Sequence, residues 1–476
     1  MKSTNKQNGT DNDIPEILHS SKSNYSYGLG EFIMQTFSIG FGAYVFYFYE
    51  VEIGLDSWLV AFGFILYAIW NAVNDPLVGY ICDRPYSFTK RWGRRFPWII
   101  SFIVPSILTY VILFAPPNVD PREGQWLLFA WLVFTTCLFD TAFSFVYVNS
   151  AALFADKFRN EDERRKVSGI NMTLGYIGIA VGAIVPPLII NYGVRESFIN
   201  QAFVLVCIAL IAALFMIPGI REDQETIERY LRAYEEFKEK KKRTSFFGTF
   251  KAAFKQKSFT AFVVLFLGYG VLRICLLASM QYGIRYILKL PAAAGSLLMV
   301  AFLLGSLISI PLWVKYARKV DNNRKIMIIA AFMSSIFALP MIILDTFIGW
   351  AIILFLWGIG IAGMFILEAV VFADIIDESV IETGKRREGM YNGFYVFINR
   401  LSIVFQAIIF AVVHELTGFV EGAETQSESA IWGIRLTMSV IPVFFLLVGT
   451  LIFWKLYDIT PEKSNIIKAK LKELNL

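Results

Sequence analysis

The chain alternates between long apolar stretches and shorter polar ones. A helix that crosses a bilayer needs roughly 20 mainly apolar residues, and the sequence holds twelve such stretches. They are residues 29–49, 58–82, 97–115, 126–154, 168–190, 198–218, 259–284, 292–314, 326–344, 348–373, 390–413 and 431–455. The pattern therefore predicts an all-α integral membrane protein with twelve transmembrane helices.

One long polar interruption divides these stretches into two sets of six. It contains the segment REDQETIERYLRAYEEFKEKKKR, whose charge is typical of a solvated helix. We expect an N-terminal segment, a six-helix bundle, a central loop, a second six-helix bundle and a tail, at residues 1–28, 29–218, 219–258, 259–456 and 457–476. Two pseudo-symmetric bundles are common in secondary transporters, whose substrate site lies between the repeats.

The basic residues lie almost entirely on one side of the expected membrane. The loops of this side hold 29 Lys and Arg, at 83–95, 156–167, 219–257, 315–325 and 384–388, whereas those of the other side hold four. Because cytoplasmic loops are rich in Lys and Arg, we expect a multi-pass protein of the plasma membrane with both termini in the cytoplasm. Below, the first side is called the basic face and the other the opposite face.

The composition agrees with a membrane protein and excludes other classes. The chain is 56% hydrophobic and 17% charged, against about 25% charged residues in soluble domains. Its net charge of +5 is small, and no nucleic-acid partner is indicated. The four cysteines, Cys82, Cys137, Cys207 and Cys275, lie in or beside apolar stretches, where we expect them to pack. No nucleophile–base set, metal cluster or phosphate loop indicates an enzyme.

Asp75 is an ionisable residue within the second apolar stretch. A carboxylate at that depth is costly unless it is paired, hydrated or neutralised, so a functional role is the first interpretation. Asn71 and Asn74 lie beside it, and Pro76 removes the backbone donor of a carbonyl one turn back. These oxygen ligands suit a hard cation such as sodium, and the carboxyl group would equally carry a proton. In the structural alternative, Asp75 pairs with an arginine and braces the bundle.

Two further acids of the first half lie at or near membrane depth. Asp140 is in the middle of the fourth stretch without a local partner, and a carboxylate there would accept hydrogen bonds from substrate hydroxyl groups. Glu31 lies at the start of the first stretch, where simple hydration is the alternative to a binding role.

The second half contributes four charged candidates at membrane depth: Arg273, Glu368, Asp374 and Arg400. An arginine facing a cavity binds anionic or hydroxyl-rich groups, whereas a pair between Arg400 and Glu368 would be structural. Phe365 and Tyr395 would stack on a substrate ring or would only pack against neighbouring helices.

Several of these residues belong to longer motifs. NDPLVGY at 74–80, RRFPW at 94–98, YGLGE at 27–31 and ADIIDESVIETGKRREGMYNGFYVFINR at 373–400 resemble the glycoside–pentoside–hexuronide:cation symporter family, to which melibiose permease belongs. The resemblance covers both halves. It implies the twelve-helix fold of the major facilitator superfamily.

The resemblance also implies roles for individual residues. Asp75 matches the acid that the family uses for cation coupling, and Asp140 matches the sugar-binding acid of the fourth span. Glu31 falls near the sugar-binding acid of the first span, and Arg400 falls where the family has a lysine near both sites.

At four positions the chain departs from melibiose permease. Asn71 replaces a second acid, Cys137 a sodium-binding threonine, Asn171 a sugar-binding arginine and Ser144 an aromatic residue. The lost charge and oxygen ligand weaken the case for sodium, so Asp75 would be a single proton carrier. Asn171 would still line the central cavity.

The basic hairpins that follow the second and eighth stretches resemble the cytoplasmic latch of this superfamily. An acid lies within each basic run, although any cytoplasmic loop is rich in basic residues. The residues assigned to this cytoplasmic gate are Asp83, Arg84, Arg94, Arg95, Asp374, Asp377 and Arg387.

Together these features predict a monomeric symporter that imports a sugar or glycoside with a proton, or less favourably with sodium at Asp75, and that needs no other cofactor. The alternative substrate is a lysophospholipid or another amphiphile, because a lipid-carrying branch shares the fold. A sugar carrier should have a closed polar cavity. A lipid carrier should have an apolar cleft that continues from the site to the bilayer.

Overall fold

The computed structural model describes residues 18–237, 253–383 and 388–473, and its regular structure within these ranges is helical. Twelve long helices succeed one another along the chain. They are α1 Ser21–Tyr47, α2 Ser57–Cys82, α3 Phe96–Leu113, α4 Pro121–Lys157, α5 Glu161–Ile189, α6 Arg195–Ile220, α7 Lys257–Tyr282, α8 Ala294–Val320, α9 Asn323–Ala338, α10 Phe347–Thr383, α11 Glu388–Thr417 and α12 Glu428–Leu456, which breaks at Ser439.

Each expected span corresponds to one of these helices. Among the described residues, eleven helices are long and apolar enough to cross a membrane, and α1, with 27 residues, is the twelfth. The fold class predicted from the hydropathy pattern is therefore confirmed.

Several helices continue beyond their apolar stretch on the basic face. The expected spans end at residues 154 and 373, whereas α4 continues to Lys157 and α10 to Thr383. The fifth span was expected from residue 168, but α5 begins at Glu161. Asn160 caps it there by accepting hydrogen bonds from two backbone N–H groups, and three acids occupy the first turn. Such polar turns are stable in water because capping and the helix dipole supply what burial does not.

Two amphipathic segments outside the spans are helical, as their sequence predicts. Gln224–Phe237 forms the described part of the charged central loop, and Pro461–Glu473 forms the tail helix. One such helix thus follows the sixth helix of each set, on the basic face.

The helices pack in the same way within α1–α6, the N-half, and within α7–α12, the C-half. α1 lies against α5 and α6, as α7 lies against α11 and α12. Likewise α2 contacts α4, as α8 contacts α10. The main contacts between the halves join α1 with α7, α2 with α11 and α5 with α8.

Glycines let the helix backbones approach closely inside each half. A Cβ added to Gly178 of α5 would lie 2.3 Å from the carbonyl oxygen of Phe32 in α1. In the C-half, a Cβ on Gly305 of α8 would lie 2.0 Å from the carbonyl oxygen of Phe355 in α10. Small residues at such contacts are characteristic of membrane helix packing, and they make each half a tightly packed unit.

The first helix of each half ends in a π-helical turn at the opposite face. Phe48–Glu52 follows α1 and Gly283–Ile287 follows α7. π-Helical turns often occur at functional sites, and both turns carry charged side chains into the contact between the halves. The four cysteines are free. Cys82 and Cys275 are buried, as expected of packing residues, and Cys137 is partly buried, whereas Cys207 is exposed.

Candidate transport site

A cavity of about 610 Å³ lies between the two halves. Six of the expected substrate residues line it: Glu31 and Asn171 from the N-half, and Arg273, Phe365, Glu368 and Tyr395 from the C-half. Their roles in binding stay predictions, but the helices bring them to one place.

The acids of the cavity are oriented by neighbouring side chains. Gln35, one turn after Glu31, donates a 2.7 Å hydrogen bond to its carboxylate. The Tyr395 hydroxyl donates to Glu368 at 2.6 Å. The Oδ1 atom of Asn171 is buried and accepts no hydrogen bond from any described residue. The cavity therefore offers charged groups to a polar ligand, whereas the Asn171 oxygen lies beside Gly28 of α1.

Most of the remaining lining is apolar. A second cavity of about 560 Å³ shares Met172, Tyr176, Phe365, Glu368 and Tyr395 with the first. It continues the space along one side of α8 and α10, at residues that include Ile310, Val314, Ile366 and Phe372. A cleft with apolar walls thus extends from the charged residues.

Asp140 and Arg400 are not among the residues that line either cavity. They form a separate cluster with Asp75. Arg400 of α11 forms an ion pair with Asp75 of α2 and donates a 2.8 Å hydrogen bond to the carbonyl of Asn71. Arg400 therefore pairs with Asp75 and not, as in the structural alternative, with Glu368, because the packing of α11 on α2 brings Asp75 to the guanidinium. An arginine partner for Asp75 is what its own structural alternative described.

Asp140 finds its partners on the neighbouring helix. Asn71 and Asn74 each donate an amide hydrogen bond to its carboxylate, the latter at 3.0 Å. Ser144 then connects the two acids, because it accepts from Asn74 at 2.9 Å and donates to Asp75 at 2.5 Å. The cluster contains two carboxyl groups and one guanidinium. When both carboxyl groups are ionised its formal charge is −1, which one further positive charge would neutralise.

The opposite face is closed by polar contacts between the halves. Arg285 forms an ion pair with Glu52 at 2.8 Å. Tyr192 donates to Gln281 at 2.9 Å. Glu50 accepts a hydrogen bond from the hydroxyl of Tyr282, and its Oε1 atom lies 2.8 Å from Nδ1 of His414. Sequence reasoning missed these residues, although His414 is one of only two histidines in the chain.

The expected gate residues on the basic face make contacts within one half. Asp83 pairs with Arg95 at 2.7 Å, and Arg94 pairs with Asp156 at 2.7 Å. The Arg84 guanidinium lies 4.3 Å from the centre of the Tyr80 ring. In the C-half, Asn323 donates to Asp374 at 2.8 Å, Asp377 lies in α10, and Arg387 lies outside the described residues.

The halves are separated on this face. Between described residues, no hydrogen bond or ion pair joins the halves on the basic side of the Asp75–Arg400 pair. A Cβ on Gly389 or Gly393, at the basic end of α11, would meet open space. The polar contacts between the halves that the described residues make on either side of the Asp75–Arg400 pair therefore lie at the opposite face.

His19 fixes the segment before α1 to the N-half. Its ring nitrogens lie 2.7 Å from an oxygen of Asp223 and 3.2 Å from one of Glu163. Burial alone would lower the pKa of His19, but the hydrogen bonds to Asp223 and Glu163 outweigh burial and raise this pKa above its ordinary value of 6.5.

Residues 26–461 match a protein family described as "MFS/sugar transport protein". The chain belongs to this family. It is a multi-pass membrane transporter of the major facilitator superfamily.

Relatives of the chain include symporters with different names. Sodium-dependent lysophosphatidylcholine symporter 1 of Gallus gallus is 23% identical over 444 residues, which cover 85% of this chain and 80% of that protein. The Homo sapiens protein of the same name is 21% identical, with coverage of 85% and 77%. The uncharacterized symporter YnaJ of Bacillus subtilis is 22% identical, with coverage of 93% of each chain.

Solved structures share the fold. A D-xylose-proton symporter matches with a TM-score of 0.62 at 13% identity, over 92% of this chain and 98% of that one. The xylose transporter XylE from E. coli, in an inward-open conformation, matches with a TM-score of 0.60 at 13% identity, over 93% and 98%. At this identity the likeness concerns the fold alone.

Proposed function

We propose that the chain is a proton-coupled symporter that moves an amphiphilic solute, with a polar head and an apolar tail or aglycone, by alternating access. One observation carries the proposal. Charged side chains of both halves face one cavity, and an apolar cleft continues from them. We place the protein in the plasma membrane as a monomer, with its basic face in the cytoplasm. The motifs support a place within the glycoside–pentoside–hexuronide:cation branch.

The polar head would lie among the charged residues of the cavity. Glu31 and Glu368 accept hydrogen bonds from hydroxyl or ammonium groups, and Arg273 binds anionic or hydroxyl-rich groups as a fork of donors. The apolar part would lie against α8 and α10, where burying it stabilises the complex by roughly 25 cal/mol per Å². A free sugar would leave these walls in water.

Of the two expected substrate classes, the walls thus favour the amphiphile. The names of the vertebrate relatives, which are lysophosphatidylcholine symporters, point the same way. A sugar or small glycoside stays the second candidate, because the family description names sugar transport and the charged residues suit hydroxyl groups.

The coupling cation would bind in the cluster of Asp75, Asp140 and Arg400. Protonation of Asp75 removes its charge and with it the attraction for Arg400, and this ion pair joins the two halves. A proton on Asp75 would therefore release one half from the other. Sodium is the alternative, since the vertebrate relatives are named sodium-dependent. However, the amides of Asn71 and Asn74 direct donors, not oxygens, toward Asp140.

The test is uptake into proteoliposomes under imposed proton or sodium gradients. The probes are labelled lysophosphatidylcholine, an octyl glucoside and free glucose. We expect accumulation of an amphiphile with a proton gradient. Accumulation of glucose alone would replace the amphiphile by the second candidate, and dependence on sodium alone would overturn proton coupling. Transport of no probe under either gradient would contradict the proposal.

The coupling role has its own variant. Asp75→Asn should lose at least about tenfold in gradient-driven accumulation, because its amide neither binds nor releases the coupling proton, while exchange down a substrate gradient continues. Asp162→Asn is the matched control, since that side chain is 92% exposed. Undiminished accumulation by Asp75→Asn would contradict the role of Asp75.

A further inference from the structure

Two carboxyl groups from different halves share a single hydroxyl at the opposite face. The Oγ atom of Ser57 lies 2.5 Å from Oε1 of Glu50 and 2.7 Å from Oε1 of Glu421. A hydroxyl group has one proton to donate. It can therefore serve only one of the two oxygens. The backbone N–H of Ser57 also donates to Oε1 of Glu421 at 3.1 Å, so each carboxyl group has one donor from Ser57, and the second contact of the hydroxyl is a hydrogen bond only if a carboxyl group itself carries a proton.

Glu50 is shielded from bulk solvent, so its charge must be balanced by protein groups. It is fully buried, and its other oxygen accepts from the hydroxyl of Tyr282. The Nδ1 atom of His414 lies 2.8 Å from Oε1 of Glu50. His414 is itself 1% exposed, and its ring stacks on Phe419 with centroids 4.4 Å apart. Unbalanced charge at such a site is expensive, since the surrounding dielectric is low.

The titratable groups that surround these contacts come from both halves. In the N-half, Tyr47 belongs to α1, and Glu50 and Glu52 belong to the π-helical turn that follows it. In the C-half, Tyr282 belongs to α7, and Arg285 and Tyr286 belong to the π-helical turn after α7. His414 belongs to α11, and Glu421 belongs to the loop after α11. Arg285 is already paired with Glu52. His414 is thus the one basic side chain that contacts Glu50 itself within the described residues, and its contact is with Glu50 and not with Glu421.

The contacts of Ser57 with Glu50 and Glu421, here called the bridge, join the two halves. Whether the bridge holds a proton therefore affects how closely the halves approach each other. Glu50 and Ser57 belong to the N-half, and Tyr282, His414 and Glu421 to the C-half or its loops. When the bridge holds one proton, both contacts of Ser57 are attractive. When that proton leaves, two carboxylates face each other through one hydroxyl, and their repulsion acts between the halves.

We propose that the Glu50–Ser57–Glu421 bridge, with His414, is a second proton site, distinct from Asp75, that holds the opposite face closed while it is protonated. Loss of the proton opens this face. The inference rests on the proposed alternating access but not on the substrate. It makes the closing of the opposite face depend on the proton concentration at that face.

The test measures the distance between the halves without substrate or gradient. Spin labels are attached at Val194 and Val420, which are exposed at the opposite face of the N-half and C-half, respectively. The background has its four native cysteines replaced by serine. We expect the distance between the labels to increase as the pH is raised, because the bridge then loses its proton and the two carboxylates repel each other.

The variants assign this response to the bridge. Glu50→Gln and Glu421→Gln each remove one charge and with it the need for a shared proton, so the pH response should be lost in both. Glu421→Gln, which leaves the contact between Glu50 and His414 intact, should also stay closed. Glu415→Gln is the control, because Glu415 is an exposed acid of the same end of α11. A parent distance that does not change with pH, or a response that both Gln variants retain, would overturn the proposal.

Two further variants separate the possible failures. Asp75→Asn should keep the pH response of the label distance, because the bridge acts without it. Ser57→Ala should open at lower pH, because the two acids lose their common donor; an unchanged midpoint would count against the bridge. If no probe is taken up in the transport assay, the label distances still decide this inference. The two proposals can therefore fail separately.

Discussion

The two faces of the transporter carry similar charged residues but use them differently. At the opposite face, Glu52 with Arg285 and Glu50 with His414 join the N-half to the C-half. At the basic face, Asp83 with Arg95 and Glu378 with Lys463 each stay within one half. The same chemistry thus closes one face and only stiffens the separate halves at the other.

Burial explains why the difference matters energetically. The side chains of Glu50 and Glu52 are 0% and 2% exposed. On the basic face Asp83 is 59% exposed, and Glu378, at 8% exposed, has its partner within its own half. Removing one partner of a buried ion pair costs about 3–5 kcal/mol, and an exposed pair contributes about 0–1 kcal/mol. Changes at the opposite face should therefore shift the balance between conformations, and changes at the basic face should not.

The internal repeat explains where the contacts that join the halves at the opposite face lie. Corresponding π-helical turns follow α1 and α7, and one carries Glu52 while the other carries Arg285. The pseudo-equivalent ends of the two halves therefore meet each other with opposite charge. Between the described residues of the helices after α6 and α12, no ion pair joins the two. The tail helix is held to its own half by Lys463, which pairs with Glu378 of α10.

The largest effect is expected from Arg285→Gln. It leaves the buried carboxylate of Glu52 without its cation, and even half of the cost of breaking such a pair would favour the open opposite face by at least about tenfold. The measurement is the rate at which maleimide labels a cysteine at Ala43, which is 4% exposed in α1, in a background without native cysteines.

Lys289→Gln is the control for Arg285→Gln, since it removes an exposed cation from the same face. Its labelling rate should equal that of the parent. If Arg285→Gln also labelled at the parental rate, the ion pair would not hold the face closed.

A smaller effect is expected from Tyr192→Phe. This change removes the neutral hydrogen bond to Gln281 across the halves, which is worth about 1 kcal/mol and hence about fivefold in the same labelling rate. Tyr49→Phe removes a hydrogen bond of the same type, 2.9 Å long, but within the N-half. Equal effects of the two variants would contradict the distinction between contacts that join the halves and contacts inside them.

The fold could be predicted from the sequence because its signal is local. A helix with about 20 apolar residues can be identified from its own sequence, without knowledge of its neighbours. Each expected span corresponds to one observed helix. The ends of α4, α5 and α10 were misplaced because polar turns extend a helix beyond the bilayer, where hydropathy no longer marks it.

The site could be predicted only in part, because its pairs are remote in sequence. Membrane depth alone marked Asp75, Arg400 and Glu368, but the partner of Arg400 lies 325 positions away in the other half. The pair of Glu50 and His414 spans 364 positions. Such contacts depend on how two separately packed halves meet, and neither residue stands out from its apolar surroundings until that contact is known.

The smallest effect is expected at the basic face, where His19 holds the N-terminal segment to Asp223 and Glu163. The pKa of His19 is raised above 6.5 in the folded protein. The stabilisation is therefore complete below the ordinary pKa and is lost as pH rises through the raised value. Between about pH 6 and about pH 9 the unfolding midpoint should fall by about 1–2 °C through this group, as monitored by tryptophan fluorescence.

His19→Ala should remove this part of the pH dependence and leave the distance between labels at Val194 and Val420 as it is in the parent. The reason is that all three members of the clamp belong to the N-half or to the segments that flank it. The Glu50–Ser57–Glu421 bridge should show the reverse, with a response in the label distance that survives in His19→Ala. If the His19 variant instead moved the halves apart, contacts within one half would also govern the conformational balance, and the joining of the halves would not be what distinguishes the two faces.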